Sequence, residues 1–142
     1  MTFKGNSKNR VVCWVVICGL MALNGCFPKS EPLASLPLTH PDAAQLNLKG
    51  IDEYQRGKWG EALSLFQVAM KRNPEFPEAH FNAALTLHQL GRHEEATQEF
   101  RRAGELAPDN PAIVQSTLYR NYLGLSTTLE RHLSGGYRYG PP

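Results

Sequence analysis

Two stretches of this chain carry the same residues at a spacing of 34. Between Gln55 and Pro77, eight of 23 positions are identical to the residue 34 places further on, whereas unrelated sequence gives about one or two. The identical pairs are Gln55/Gln89, Gly57/Gly91, Glu61/Glu95, Ala62/Ala96, Phe66/Phe100, Ala69/Ala103, Pro74/Pro108 and Pro77/Pro111. A self-similar period of this length predicts stacked helical hairpins, which form an extended binding surface rather than a catalytic pocket.

Each repeat is predicted to contain two helices separated by a glycine. The expected helices are 46–56 and 61–72 in the first repeat (43–76), and 79–90 and 94–106 in the second (77–110). Gly57 and Gly91 follow the first helix of each pair. Glycine suits this position because a helix often ends on a left-handed residue, a conformation that strains other side chains.

The second helices share a face on which small residues flank a phenylalanine. Phe66 lies between Ala62 and Ala69, and Phe100 lies between two alanines in the same way. Small residues allow close helix approach while the ring fills the remaining space. The pattern Gly-x4-Ala-x3-Phe-x2-Ala-x4-Pro resembles the tetratricopeptide repeat over about 68 residues. The resemblance implies an all-α fold, an α-solenoid of two stacked hairpins.

The chain after Pro111 departs from the repeat but keeps an apolar stripe at helical spacing. The stripe consists of Val114, Leu118, Tyr122, Leu125, Leu129 and Leu133. Leu125 and Glu130 replace the glycine and alanine that a third copy would have. We therefore predict a capping helix over 111–133, with Gly124 as the place where it would bend, and a disordered tail over 134–142.

The N-terminus is typical of an export signal. Basic residues precede an uncharged run over 11–23, which is shorter than the roughly 20 residues that a membrane span needs. The run ends in LNGC at 23–26, which resembles the lipobox of bacterial lipoproteins. The resemblance implies that residues 1–25 are removed and that the Cys26 thiol is diacylated. An ordinary cleavable signal and an uncleaved short anchor are the alternatives.

The residue after Cys26, the cysteines and the charge of the chain limit its expected location and its expected partners. Phe27, rather than an aspartate, follows Cys26, which in Gram-negative lipoproteins favours the outer membrane, facing the periplasm. Cys13 and Cys18 would leave with the signal, so no thiol would remain for disulfides or thiolate metal sites. Three of the 15 lysines and arginines lie in the signal, and the other 12 nearly balance 13 acidic residues. Without a clustered basic face, we expect no nucleic-acid partner.

A proline-rich segment connects the anchor to the repeats. Four prolines between residues 27 and 42 disfavour a helix, because each lacks an amide hydrogen. We predict that 26–42 is an extended tether, able to hold the domain up to roughly 50 Å from the lipid surface. Docking of Leu33, Leu36 and Leu38 on the repeat domain is the alternative.

The family resemblance implies a concave groove lined by the first helix of each hairpin. The groove residues carried over are Asn47, Ile51, Tyr54, Gln55, Phe81, Asn82, Leu85, His88 and Gln89. Amide side chains can pair with a peptide backbone while apolar residues accept alternate side chains. Ile51, Phe81 and Leu85 have an alternative role as inter-repeat core.

Nothing in the sequence indicates catalysis or a cofactor. Phosphate-binding, nucleophile-elbow and zinc-protease motifs are missing from the sequence, so we expect no enzyme activity and no cofactor besides the lipid on Cys26. His88, His93 and Glu94 are interpreted as solvent-facing turn residues rather than metal ligands. The sequence predicts a lipid-anchored adaptor that binds a peptide or helix of another envelope protein. The alternative is a structural lipoprotein that self-associates through exposed repeat and cap faces.

Overall fold

The computed structural model describes residues 30–34 and 40–126, which form six helices and no strand. The helices are α1 (Pro41–Gln55), α2 (Trp59–Arg72), α3 (Pro77–Gln89), α4 (His93–Leu106), α5 (Pro111–Val114) and α6 (Thr117–Tyr122). None of these helices is long and apolar enough to cross a membrane. The predicted signal peptide, Cys26 and the predicted tail over 134–142 lie outside the described residues.

The first helix of each hairpin begins earlier than predicted, at a proline. α1 starts at Pro41 rather than residue 46, and α3 starts at Pro77 rather than residue 79. Proline fits the first helical turn because the amide hydrogen it lacks has no partner inside the helix there. Pro41 and Asp42, which the sequence assigned to the tether, therefore belong to α1.

Both predicted glycine stops are confirmed by the backbone. Gly57 and Gly91 have φ angles of 76° and 73°. The amide after each glycine reaches back along the helix: Lys58 N donates to Glu53 O and Arg92 N donates to Leu87 O, both at 2.9 Å. This six-to-one hydrogen bond defines the Schellman end of a helix and directs the chain into the second helix of the hairpin.

The core is built from the repeated small and aromatic positions. Phe66, Phe100 and the four alanines that flank them are fully buried. Successive helices pack side by side from α1 to α4, which confirms the predicted all-α stack of hairpins. At Gly50 the approach is so close that a Cβ atom would lie 2.5 Å from Cε1 of Phe66. The first hairpin therefore requires glycine at this position.

The segment after α4 differs from the single capping helix that the sequence predicted. α5 ends at Val114, and Ser116, at φ −58° and ψ 132°, separates it from α6. Ile113 and Tyr122 are both buried, at 0% and 1% exposure. On one continuous helix, nine residues apart, they would point about 180° from each other. The break lets both side chains face the same core.

The end of α6 reproduces the first helix of a repeat. Gly124 has a φ of 70°, and Leu125 N donates to Arg120 O at 2.7 Å, as in the two Schellman ends upstream. The glycine missing at residue 125 is thus supplied one position earlier, so the helix ends there instead of bending. Leu125, predicted in the apolar stripe, is 56% exposed. Together, α5 and α6 occupy the position of the first helix of a third repeat, and they end one residue earlier than the period places that end.

Candidate functional site

Two buried asparagines from neighbouring first helices meet at the centre of the site. Asn47 of α1 and Asn82 of α3 both have no exposed surface. Asn82 Nδ2 donates to Asn47 Oδ1 at 2.8 Å. This bond fixes the orientation of both amides, because it assigns the nitrogen to one and the oxygen to the other. The remaining amide atoms are free to recognise a third group.

That third group is the main chain of Leu33. Leu33 N donates to Asn82 Oδ1 at 2.6 Å, and Leu33 O accepts from Asn82 Nδ2 at 2.8 Å and from Asn47 Nδ2 at 3.0 Å. Both backbone polar groups of one residue are therefore satisfied by side chains of the repeats. This confirms the docking alternative for Leu33, so residues 30–34 are not a free tether. Leu36 and Leu38 lie outside the described residues.

The bound segment extends across all three first helices. The Leu33 side chain packs against the main core, as do the half-buried Ile51 and Tyr54. Ser30 Oγ is hydrogen-bonded to Ser116 Oγ at 2.9 Å, at the start of α6. The segment therefore runs from the third repeat toward the first, opposite to the order of the repeats. We call Asn47, Asn82 and Ser116, together with the side-chain site of Leu33, the peptide groove.

Ser116 was missed by the sequence argument, although a signal for it existed. Asn82 and Ser116 are 34 residues apart and so occupy the same position of consecutive repeats. The prediction of one continuous capping helix hid this equivalence. Both residues present a short polar side chain to the same extended segment. The repeat period, continued one step further, identifies the third contact.

Two of the remaining predicted residues, Tyr54 and Gln89, lie at the edge of the groove. Tyr54 packs edge-on against Trp59, with ring centroids 4.8 Å apart. Gln89 Nε2 donates to the Tyr54 hydroxyl at 3.3 Å, and Gln89 and Gln55 are both exposed. Burial raises the pKa of Tyr54, the hydrogen bond from Gln89 opposes this, and the carboxylate of Glu31 raises the pKa further. The bound segment thus lies close enough to influence the groove rim electrostatically.

Phe81 and Leu85 belong to the hydrophobic core against which Leu33 packs. Phe81 packs edge-on against Phe100 of α4, with centroids 5.6 Å apart. Leu85 belongs to the same buried cluster and has no exposed surface. These contacts agree with their alternative role as inter-repeat core, and their place in the binding surface stays a prediction. The repeat position could not separate the two roles, because a first helix has neighbours on more than one side.

His88 contacts the third repeat. The Tyr122 hydroxyl is hydrogen-bonded to Nδ1 of His88 at 2.9 Å and to Nδ1 of His93 at 2.8 Å. Both histidines are half-buried, so their interpretation as solvent-facing turn residues is wrong. Burial, followed by the neighbouring His93, lowers the pKa of His88. Over residues 30–34 and 40–126, no three His, Cys, Asp or Glu side chains are grouped to hold a metal ion.

Stacked hairpins whose first helices hold an extended segment define a helical-repeat protein of the protein-binding class. Residues 47–111 match the family model described as tetratricopeptide repeat. Residues 47–111 are thus similar to the tetratricopeptide repeat, and repeats of this family mediate protein–protein interaction.

Two relatives are similar to parts of this chain. An uncharacterised protein of Methanocaldococcus jannaschii is 43% identical over 54 residues, which are 38% of this chain and 63% of that protein. A TPR repeat-containing thioredoxin of Arabidopsis thaliana is 33% identical over 94 residues, 65% of this chain and 14% of that protein. The chain thus matches less than two thirds of the length of either relative. No solved structure matches this chain significantly.

Proposed function

We propose that this chain is a lipid-anchored adaptor of a Gram-negative-type cell envelope. Its peptide groove would bind an extended segment of another envelope protein and hold that protein near the membrane, with the outer membrane favoured. The observation that supports the binding role is the recognition of Leu33, whose N–H and C=O both bond to Asn82. A groove that satisfies a backbone in this way can do so for a foreign segment of the same conformation.

The form of recognition favours an extended ligand over a helical one. In a helix interior, both the N–H and the C=O of a residue are already used by the helix itself. At Leu33 both groups are offered to side chains of the repeats. Affinity would come from these main-chain bonds, and specificity from the site that holds the leucine side chain. The polar side chains of the groove are two amides and a hydroxyl, which suit an uncharged stretch of backbone.

The binding role can be tested by site-specific photocrosslinking in the native envelope. A crosslinker at the exposed Gln89, on the groove rim, is expected to capture a partner protein. The same crosslinker at Gln98, an exposed glutamine of α4, is the matched control and should not capture it. Capture at Gln89 should be lost in the Asn82→Leu variant, which cannot bond to a peptide backbone. Equal capture with and without Asn82 would reject the groove as the binding site.

The anchoring role is supported by the signal and the lipobox resemblance at residues 23–26. Metabolic labelling with a clickable fatty acid is expected to label the wild-type chain and the Cys18→Ser control. The Cys26→Ser variant should remain unlabelled and leave the membrane fraction. Labelling that persists without Cys26 would show that the lipid is attached elsewhere.

Self-association is the alternative function, and one feature of the stack favours it. Residues 40–126 contain two complete hairpins and the first helix of a third, whereas three or more units are usual in a self-sufficient stack. A second copy could extend the stack at one end. Sedimentation at several concentrations would detect such a dimer. Substitutions in α6 should shift the oligomer under this alternative, while groove substitutions should leave it unchanged.

A further inference from the structure

We propose that residues 30–34 are an internal ligand of the peptide groove, and that a partner binds by displacing them with a segment of the same chemistry. The proposal rests on the proposed binding function and adds the kind of peptide that is bound and a competing occupant. Its basis is a contact within the chain: Leu33 and Ser30 bond to side chains from all three repeats.

The contacts of the internal segment define what a partner segment must offer. Its backbone must be extended at one residue, so that N–H and C=O both reach Asn82. That residue must carry an aliphatic side chain, since Leu33 packs against the apolar core. A small hydroxyl residue three positions earlier would match Ser30. Pro32 before the leucine has a fixed φ, which lowers the entropy lost on binding.

The internal segment is held in a way that permits exchange. Four hydrogen bonds and one half-buried leucine carry its described contacts, while Glu31 and Ala34 are exposed. A segment with few buried contacts opens at much lower free energy than the core of its domain. Release would leave the hairpins intact, because their cores are formed by α1 to α4.

Covalent connection gives the internal segment an advantage over a free peptide. A segment on a short flexible linker has an effective concentration on the order of millimolar at its own site. The apparent affinity of a partner is reduced by the fraction of chains in which the groove is open. Weakening the internal segment should therefore tighten the binding of an external one, with no new contact to that ligand.

Displacement would also change how far the domain extends from the membrane. With Ser30 docked, only three residues lie between it and Cys26, so the reach from Cys26 is at most about 14 Å. With the segment released, the tether from Cys26 to His40, just before α1, reaches roughly 43 Å where it is polyproline-like. If Cys26 carries the lipid, partner binding and extension from the membrane would occur together.

The experiment uses the full chain and a fluorescent peptide with the sequence of residues 28–36, PKSEPLASL. Binding is followed by fluorescence anisotropy. The Leu33→Asp chain should release its own segment and bind the peptide at least about tenfold more tightly than the wild type, given the effective concentration above. The matched control is Ala34→Asp, which places the same charge on the exposed neighbouring residue and should behave like the wild type. A peptide with aspartate in place of the leucine that corresponds to Leu33 should not bind any of the three chains.

Two outcomes would overturn the proposal. Equal peptide affinity in the wild type and the Leu33→Asp chain would show that the internal segment does not compete. Failure of the Leu33→Asp chain to bind the peptide, although its circular dichroism shows a folded helical domain, would show that the groove does not accept this chemistry. Leu33→Ala, which removes apolar contact without adding charge, should shift affinity in the same direction by a smaller factor.

These results can be separated from the test of the proposed function. If the peptide fails but Gln89 still captures an envelope protein through Asn82, the binding function stands and the internal ligand does not. If the peptide competes as expected but no envelope protein is captured, the internal ligand stands and the adaptor function fails.

Discussion

Asn82 and Asn47 are hydrogen-bonded to each other at 2.8 Å while both hold the carbonyl oxygen of Leu33. Each amide nitrogen faces an oxygen, and Asn82 Oδ1 faces the Leu33 N–H. The polar groups of this buried cluster are thus matched donor to acceptor. Because buried polar groups are costly when unpaired, the arrangement is sensitive to the change of a single amide atom.

Asn82→Asp replaces the donating nitrogen with an oxygen at nearly constant shape. The new oxygen would face the Leu33 carbonyl and Asn47 Oδ1, two acceptors. We expect the segment 30–34 to detach and the domain to lose about 1–3 kcal/mol of unfolding free energy. Measured by hydrogen exchange, the Leu33 amide should exchange slowly in the wild type, where it is hydrogen-bonded, and fast in Asn82→Asp. Gln98→Glu makes the same chemical change on the surface, so the Leu33 amide should still exchange slowly in that variant. Slow exchange of the Leu33 amide in Asn82→Asp would contradict the role of the asparagine pair.

Gly50→Ala should destabilise the first hairpin. The added methyl group would lie 2.5 to 2.9 Å from three atoms of the Phe66 ring, which is itself fully buried. Overpacking of this kind costs about 1–3 kcal/mol, more than the roughly 1 kcal/mol that alanine gains over glycine in a helix. Thermal unfolding should show a lower Tm. The control is Gly60→Ala in α2, where no atom lies within 4 Å of the new Cβ. This variant should have a higher Tm than the wild type. A higher Tm in both variants would reject the steric argument.

Gly104→Ala should displace α6 from α4. A Cβ at this position would lie within 2.8 Å of the Tyr119 ring, and closer still to its hydroxyl. We expect a loss of about 1–3 kcal/mol, accompanied by weaker protection of the α6 amides. Tyr119→Phe removes the nearest clashing atom, so the double variant should recover part of the loss. A double-mutant cycle measures this coupling, and strictly additive effects would show that the two residues do not meet.

The stability of the domain should fall as the pH is lowered through the range in which His88 titrates. The ordinary pKa of 6.5 applies to His88 in the unfolded chain, and burial lowers the pKa in the folded state. Below 6.5 the unfolded state therefore binds more protons than the folded state, so acid favours unfolding. The contribution is complete above pH 6.5 and is lost as the pH falls toward the lower folded pKa.

Urea unfolding at a series of pH values measures this effect. His88→Gln can still form a hydrogen bond with Tyr122 but cannot titrate, so its stability should depend less on pH between 7 and 5. The exposed His40 offers the matched control, and His40→Gln should keep the wild-type profile. An unchanged profile in His88→Gln would mean that another group carries the acid sensitivity.

The repeat period alone determined the fold class and the main core. Residues at fixed spacing from Gly57 and Gly91 were predicted as hairpin contacts, and Phe66 and Phe100 are fully buried. This succeeds because helix ends and hairpin packing depend on residues that lie close together along the chain. Each repeat carries that local information completely.

Only the tertiary structure decided how the groove is built and what occupies it. Asn47 and Asn82 are 35 residues apart, so they occupy different positions of the repeat and were not expected to pair. Leu33 reaches Asn82 across 49 residues, and Gly124 replaces the glycine that the period places at 125. Such contacts depend on the relative positions of stacked helices and on the path of a segment outside the repeats. A periodicity along the sequence contains neither kind of information. The repeat pattern therefore predicts the stack of hairpins, while the tertiary packing determines which amide side chains bind the segment.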